Sequence, residues 1–204
     1  MKKQTWTGAV AMAILLMVGM TACGSAPATR YYLLDTRRTV ALPVSAPAVW
    51  VEPFTVDPPY DQDRVVYRVG SDDVRVRFYP YDRWAVPLQD MVADLAAAVL
   101  DGAGGARFQR VAGVRVDSFS LRGRLVRLEE IDLPSGPHIR FRLDLALADS
   151  HGKVIYRRRV ENETAVSATQ VEGVVRQMQA ALLAGLEQVR PEIAAALAEA
   201  EPGS

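Results

Sequence analysis

The chain has 204 residues, and its 24 Lys and Arg are matched by 24 Asp and Glu, for a formal net charge of zero. That balance argues against broad nucleic-acid binding, which needs a basic face to displace counterions. A single cysteine excludes an internal disulfide, so stability must come from packing.

In chain order the first element is a targeting segment. Met1-Lys2-Lys3 is a short positive start, and Ala9 to Met20 is an apolar run. It is about a dozen residues long, the length of a signal-peptide core and too short to span a bilayer comfortably. The run ends in Met20-Thr21-Ala22-Cys23, which resembles the bacterial lipobox, with methionine in place of the usual leucine. The resemblance implies cleavage before Cys23, a thioether to diacylglycerol on its sulfur and acylation of the new amine. Residues 1–22 are thus expected to be a lipoprotein signal peptide, and 23–29 a lipidated, flexible linker. Two or more acyl chains give a stable anchor. Gly24 stands where aspartate often retains lipoproteins at the inner membrane, so an outer-membrane, periplasm-facing location is expected in a two-membraned host. No later segment approaches transmembrane length.

Residues 30–200 read as one domain. Arg30 to Asp35 is a short strand, and a Pro-, Ala- and Thr-rich connection follows to Pro47. Val49 to Val56 is a strand with Pro53 at its middle, which predicts an edge or a bulge there. Arg64 to Val69 and Val74 to Phe78 form a hairpin pair around Gly70-Ser71-Asp72-Asp73. Tyr79 to Trp84 reads as an aromatic loop by its proline and polar residues, and aromatic loops often bind something. Pro87 suits a first helical turn, and Leu88, Met91, Val92, Leu95, Val99 and Leu100 recur at helical spacing until Asp101-Gly102.

The centre is β-rich. Val114 to Asp132 sets Phe119, Leu121, Gly123 and Leu125 on one parity, with Arg122 and Arg124 on the other. Ile139, Phe141, Leu143, Leu145 and Leu147 alternate with polar and small residues, so one face enters the core and the other meets solvent or a partner. Asp149 to Lys153 is a hairpin turn and Val154 to Glu163 the return strand. An amphipathic helix runs from Thr169 to about Glu199, which Pro191 should kink or divide. The order predicts an α+β domain: a mostly antiparallel sheet with two main helices packed on one face.

Catalytic signals are weak. His138 and His151 fall in turns at opposite ends of one strand, and the single cysteine is assigned to lipid, so a His/Cys metal site is not expected. Ser118 and Ser120 lack nucleophile-elbow glycines. The glycines at 102, 104 and 105 follow a helix rather than preceding one, so they stop it and do not cradle a phosphate. Glu129 and Glu130 point to opposite faces of a strand and read as a solvated strand end. Arg122, Arg124, Arg127, Arg140 and Arg142 lie on adjacent strands; they form either a basic patch for lipid headgroups or an acidic partner, or a solvated face neutralised by Asp144 and nearby glutamates. No catalytic residue, cofactor or metal is expected, and the chain reads as a non-enzyme.

Three further stretches carry a resemblance. Tyr31-Tyr32-Leu33-Leu34-Asp35 soon after the lipobox, Asp63 to Gly70 (DRVVYRVG) and Tyr81 to Leu88 (YDRWAVPL) occur in the order and setting of the ABC-type transport auxiliary lipoprotein family. The late hairpin and C-terminal helix fit as well, and Val86 stands where the family often has an acidic residue. The resemblance implies an outer-membrane-anchored component of a lipid-transport system. Its partners would be an inner-membrane ABC transporter and a periplasm-spanning mammalian-cell-entry (MCE) protein, and its part would be to dock or receive phospholipid traffic. Candidate partner-binding residues are Tyr79, Tyr81, Arg83, Trp84, Arg64 and Arg68, and a homo-oligomer is left open. Two alternatives stand beside this: a structural or binding envelope lipoprotein acting without a transporter, and an envelope hydrolase with a site assembled across subunits.

Overall fold

The computed structural model describes residues 27–36, 46–110, 118–168 and 170–200. The expected signal peptide and Cys23 lie outside the described residues, as do residues 37–45 and the expected strand start at 114–117. Among the described residues nine strands and two α-helices follow in the order β1 (Arg30–Tyr32), β2 (Ala48–Val51), β3 (Thr55–Val56), β4 (Arg64–Val69), β5 (Arg77–Trp84), α1 (Leu88–Leu100), β6 (Arg107–Gln109), β7 (Phe119–Leu133), β8 (Gly136–Ala148), β9 (Val154–Ala165) and α2 (Val171–Ala200). The domain is α+β, as its pattern predicts.

The sheet is built around β7. On one side β8 runs antiparallel to it from Leu133↔Gly136 to Ser120↔Ala148, and β9 runs antiparallel to β8. On its other side three short strands pair with β7 one after another, all parallel: β2 at 119–121, β3 at 124–125 and β4 at 130–132. β5 then pairs antiparallel with β4, and β1 parallel with β5, while β6 pairs parallel with β2. The long meander therefore carries the antiparallel pairing expected from alternation, and the short strands add parallel pairs. Parallel pairing links strands distant in sequence, so no local turn signal announces it.

Pro53 shows why the first strand pattern breaks. Glu52 still donates its N–H to the Leu121 carbonyl, at 3.0 Å, but Pro53 has no N–H to continue the ladder. The strand therefore resumes as the separate β3. β2 itself lies between β7 and β6, so it is not an edge.

Both helices bury their apolar stripes on one face of this sheet. Leu88, Met91, Val92, Leu95, Val99 and Leu100 of α1 are buried, with Pro87 capping the helix instead of entering its first turn. The predicted stripe of α2, from Val171 through Met178, Leu182, Leu186 and Val189 to Leu197, is buried along its length. These side chains meet Leu121, Leu125, Phe141, Leu143, Leu145 and Leu147 in one core cluster. Burying each such side chain contributes roughly 1.5–3 kcal/mol. Gly185 lets α2 approach closely: a Cβ there would lie 2.6 Å from the Phe141 ring. Pro191 does not divide the helix, which runs unbroken through it. Its ring sits at an exposed position, where water can serve the carbonyl that a missing N–H leaves behind.

Two local expectations are corrected. Tyr79 to Trp84 is not a loop but the greater part of β5, because Pro80 occupies an exposed position while its neighbours pair with β4 and β1. His138 is not in a turn but lies within β8, opposite Ile131 and Ala165. His151 is in the β8–β9 turn, where Asp149 Oδ1 accepts the His151 and Lys153 backbone N–H groups.

Candidate functional site

The three resembling stretches interlock on one patch of sheet. β1 pairs with β5 so that Arg30, Tyr31 and Tyr32 stand opposite Asp82, Arg83 and Trp84. Asp82 is only 2 % exposed. Its carboxylate accepts two bonds from the Arg30 guanidinium, at 2.7 and 3.0 Å, and one from the Tyr32 hydroxyl at 2.8 Å. Burial and then the Asp82 carboxylate push the Tyr32 hydroxyl up to about 12. Asp63, which opens the second stretch, pairs with Arg83 of the third, and the Asp63 carbonyl accepts the Trp84 N–H at 2.6 Å. A stretch that is weak alone thus supplies one half of a contact that another completes.

A second pair of contacts lies at the other end of β4 and β5. Tyr79 donates its hydroxyl to Glu130 and stacks, tilted, on Tyr67 with ring centroids 4.6 Å apart. Tyr60 donates to Glu129 Oε2 at 2.5 Å. The solvated strand end expected for the two glutamates is therefore corrected: Glu129 is 0 % and Glu130 7 % exposed. They do point to opposite faces, and each face has its own cover. Glu129 lies opposite Arg140 on the sheet face away from the helices, with Arg127 Nε at 3.6 Å and Arg68 Nη1 at 3.9 Å from its Oε1. Burial pushes the Glu130 carboxyl up, partly offset by the Tyr79 hydrogen bond. Burial and the two carboxylates also push the hydroxyls of Tyr60 and Tyr79 up.

This geometry sorts the candidate partner-binding residues. Trp84 is in the core at 5 % exposure, which excludes direct contact by its side chain. Tyr79 and Arg68 are turned toward buried glutamates, and Arg68 also donates to the Asp73 carbonyl at 2.6 Å. Arg64 and Arg83 stand cross-strand, and Tyr31 stands opposite Arg83 on the next strand; Tyr81 is half-buried. The row Tyr31–Arg83–Arg64 sets one residue from each stretch side by side on one sheet face, with Tyr31 exposed and the two arginines half-buried. Sequence reasoning missed Tyr31, 65 % exposed, and Leu33, 62 % exposed, because a Tyr-Tyr-Leu-Leu run reads as core. Beside the row, a groove of about 370 Å³ is lined by Tyr31, Asp61, Asp63, Trp84, Val86 and Gln89, at the start of α1.

The arginines resolve in favour of a neutralised face. Arg122 pairs with Glu52, Arg124 with Asp57, Arg140 with Glu163, Arg142 with Glu161 and Arg159 with Asp144. A shallow groove of about 720 Å³ crosses this face between Arg122, Arg124, Arg157 and Arg159, over Ala146. Among the described residues no three His, Cys, Asp or Glu side chains stand close enough to hold a metal ion, and no helix is long and apolar enough to cross a membrane.

Comparison with known proteins places these features. The fold matches the crystal structure of an uncharacterized protein with a TM-score of 0.63 and 19% identity, covering 84% of this chain and 99% of that one. It also matches a Xanthomonas campestris protein of the DUF330 family with a TM-score of 0.61 and 21% identity, covering 81% and 93% of the two chains. At such identities the likeness establishes the fold alone. No curated protein matches this chain. Residues 31–190, from the exposed Tyr31 to the last turns of α2, match the model of the ABC-type transport auxiliary lipoprotein component. The match spans all three interlocked stretches, and the chain belongs to the ABC-type transport auxiliary lipoprotein family.

Proposed function

We propose that this auxiliary lipoprotein is held at the outer membrane through Cys23, faces the periplasm and docks an MCE-type periplasm-spanning protein. That partner would be fed by an inner-membrane ABC transporter, and the cargo would be phospholipid. In this reading the protein is a binding component and not an enzyme. The observation that carries it is the placement of the domain after Cys23: only six residues separate the cysteine from Arg30, the first residue of β1. Seven residue steps reach at most about 25 Å, so the β1 edge and the Tyr31–Arg83–Arg64 row are tied close to the lipid surface. A partner that docks at the membrane surface would find that row and the neighbouring groove beside it.

The test is a crosslinked pull-down of the full-length lipidated protein from its native envelope, read by mass spectrometry, beside separation of inner from outer membranes. Recovery of an MCE-domain protein from the outer-membrane fraction supports the proposal. Recovery of envelope-assembly proteins with no MCE partner would replace it with a structural lipoprotein that acts without a transporter.

A further inference from the structure

β9 is a twelve-residue strand paired only with β8 among the described residues. Its other edge is a row of backbone donors and acceptors about 40 Å long. Such an edge invites a second strand unless its side chains forbid one. Apart from buried Val160 and half-buried Ile155 and Tyr156, every β9 residue is exposed.

The charges on this edge are ordered. Arg157, Arg158 and Arg159 precede Val160, and Glu161, Asn162 and Glu163 follow it. An antiparallel copy centred on Val160 would set Arg159 against the partner's Glu161, Arg157 against the partner's Glu163 and Arg158 against the partner's Asn162. The same register sets Tyr156 against the partner's Thr164. We propose that β9 is the interface with a second copy of this chain, paired antiparallel about a two-fold axis through Val160, so that two sheets become one.

The existing ion pairs extend this complementarity. Arg157, Arg159, Glu161 and Glu163 all lie on the face away from the helices, opposite Ala146, Asp144, Arg142 and Arg140. Across the seam one row becomes Arg124, Asp144, Arg159, then the partner's Glu161 and the partner's Arg142, with signs alternating throughout. Arg157, which has no carboxylate partner among the described residues, gains one in the partner's Glu163. Other registers fail. A shift of two residues one way sets Arg159 against its own copy, and the other way sets Glu161 against its own copy. A slip of one residue joins the helix face of one sheet to the charged face of the other. Backbone pairing supplies the affinity of such a contact and the side chains its register.

The experiment follows from a distance. Arg157 and Glu163 are six residues apart on one strand, about 20 Å, so any coupling between them must come from a second molecule. Full-length chain in detergent micelles would be followed by sedimentation at low and high salt, as wild type, Arg157→Glu, Glu163→Arg and the double variant. The wild type should form a salt-sensitive dimer, each single variant should weaken it about tenfold or more, and the double variant should recover to within about threefold. If Arg157→Glu does not fold, Arg157→Thr and Glu163→Thr keep strand-forming residues and should lose the salt sensitivity. A monomer up to about 100 µM, single variants that associate like wild type, a double variant that fails to recover, or a larger head-to-tail assembly indifferent to these changes would each overturn the proposal.

Discussion

Asp82 accepts hydrogen bonds from Arg30 and Tyr32 of β1, so the edge of the sheet is fastened to β5 by side chains as well as backbone. Asp82→Ala leaves the half-buried Tyr32 hydroxyl without its acceptor. It should lower stability by about 1–3 kcal/mol in urea unfolding, while the exposed Arg30 simply rehydrates. Glu130 behaves differently, because burial lifts its folded pKa above the ordinary value of 4.5. The native chain then holds this proton more tightly than the unfolded chain does. The stability linked to Glu130 is therefore fully present below about pH 4.5 and is lost as pH rises through the folded pKa. Glu130→Gln still offers Tyr79 an oxygen and removes the titration. Its stability relative to wild type should rise between pH 4.5 and 7 in paired urea melts, and a flat difference would refute the assignment. Asp73 and Asp144, held down by hydrogen bonds from Arg75 and Arg159, act with the opposite sign in both proteins and so cancel in that difference.

At the scale of elements, β8 and α2 meet where two requirements coincide: an alternating apolar face and a small residue on the helix. Leu143 is 1 % exposed and sits in the shared core. Leu143→Asp would bury a carboxylate with no partner, a cost of several kcal/mol against a total of roughly 5–15 kcal/mol. The variant should be unfolded or melt far below wild type, and an unchanged melting temperature would refute the register of β8. Gly185→Ala pushes a methyl into Phe141 and Val160, and overpacking of that kind costs about 1–3 kcal/mol, even though alanine is the better helix former. A gain in stability would mean that α2 can move away from the sheet.

For the whole molecule the decisive change is Cys23→Ser. On the proposed anchoring through Cys23 it should release the domain from membranes into the soluble fraction with its melting temperature intact, since the core cluster is built from residues between Leu34 and Leu197; retention in the lipid-modified fraction would count against the anchor. The sequence by itself determined the α+β class, both helical stripes, the β8 alternation and the lipobox-like segment, because each is a local pattern whose period or spacing is written in neighbouring residues. It could not show that β2, β3 and β4 line up along one edge of β7, that Tyr79 to Trp84 is strand, or that Glu129 and Glu130 are buried. Those facts depend on side chains tens of residues apart: Tyr60 covering Glu129, Tyr79 covering Glu130, Arg30 closing on Asp82. Burial of a polar residue is decided by whether a partner arrives to satisfy it, and only the tertiary structure brings the partner.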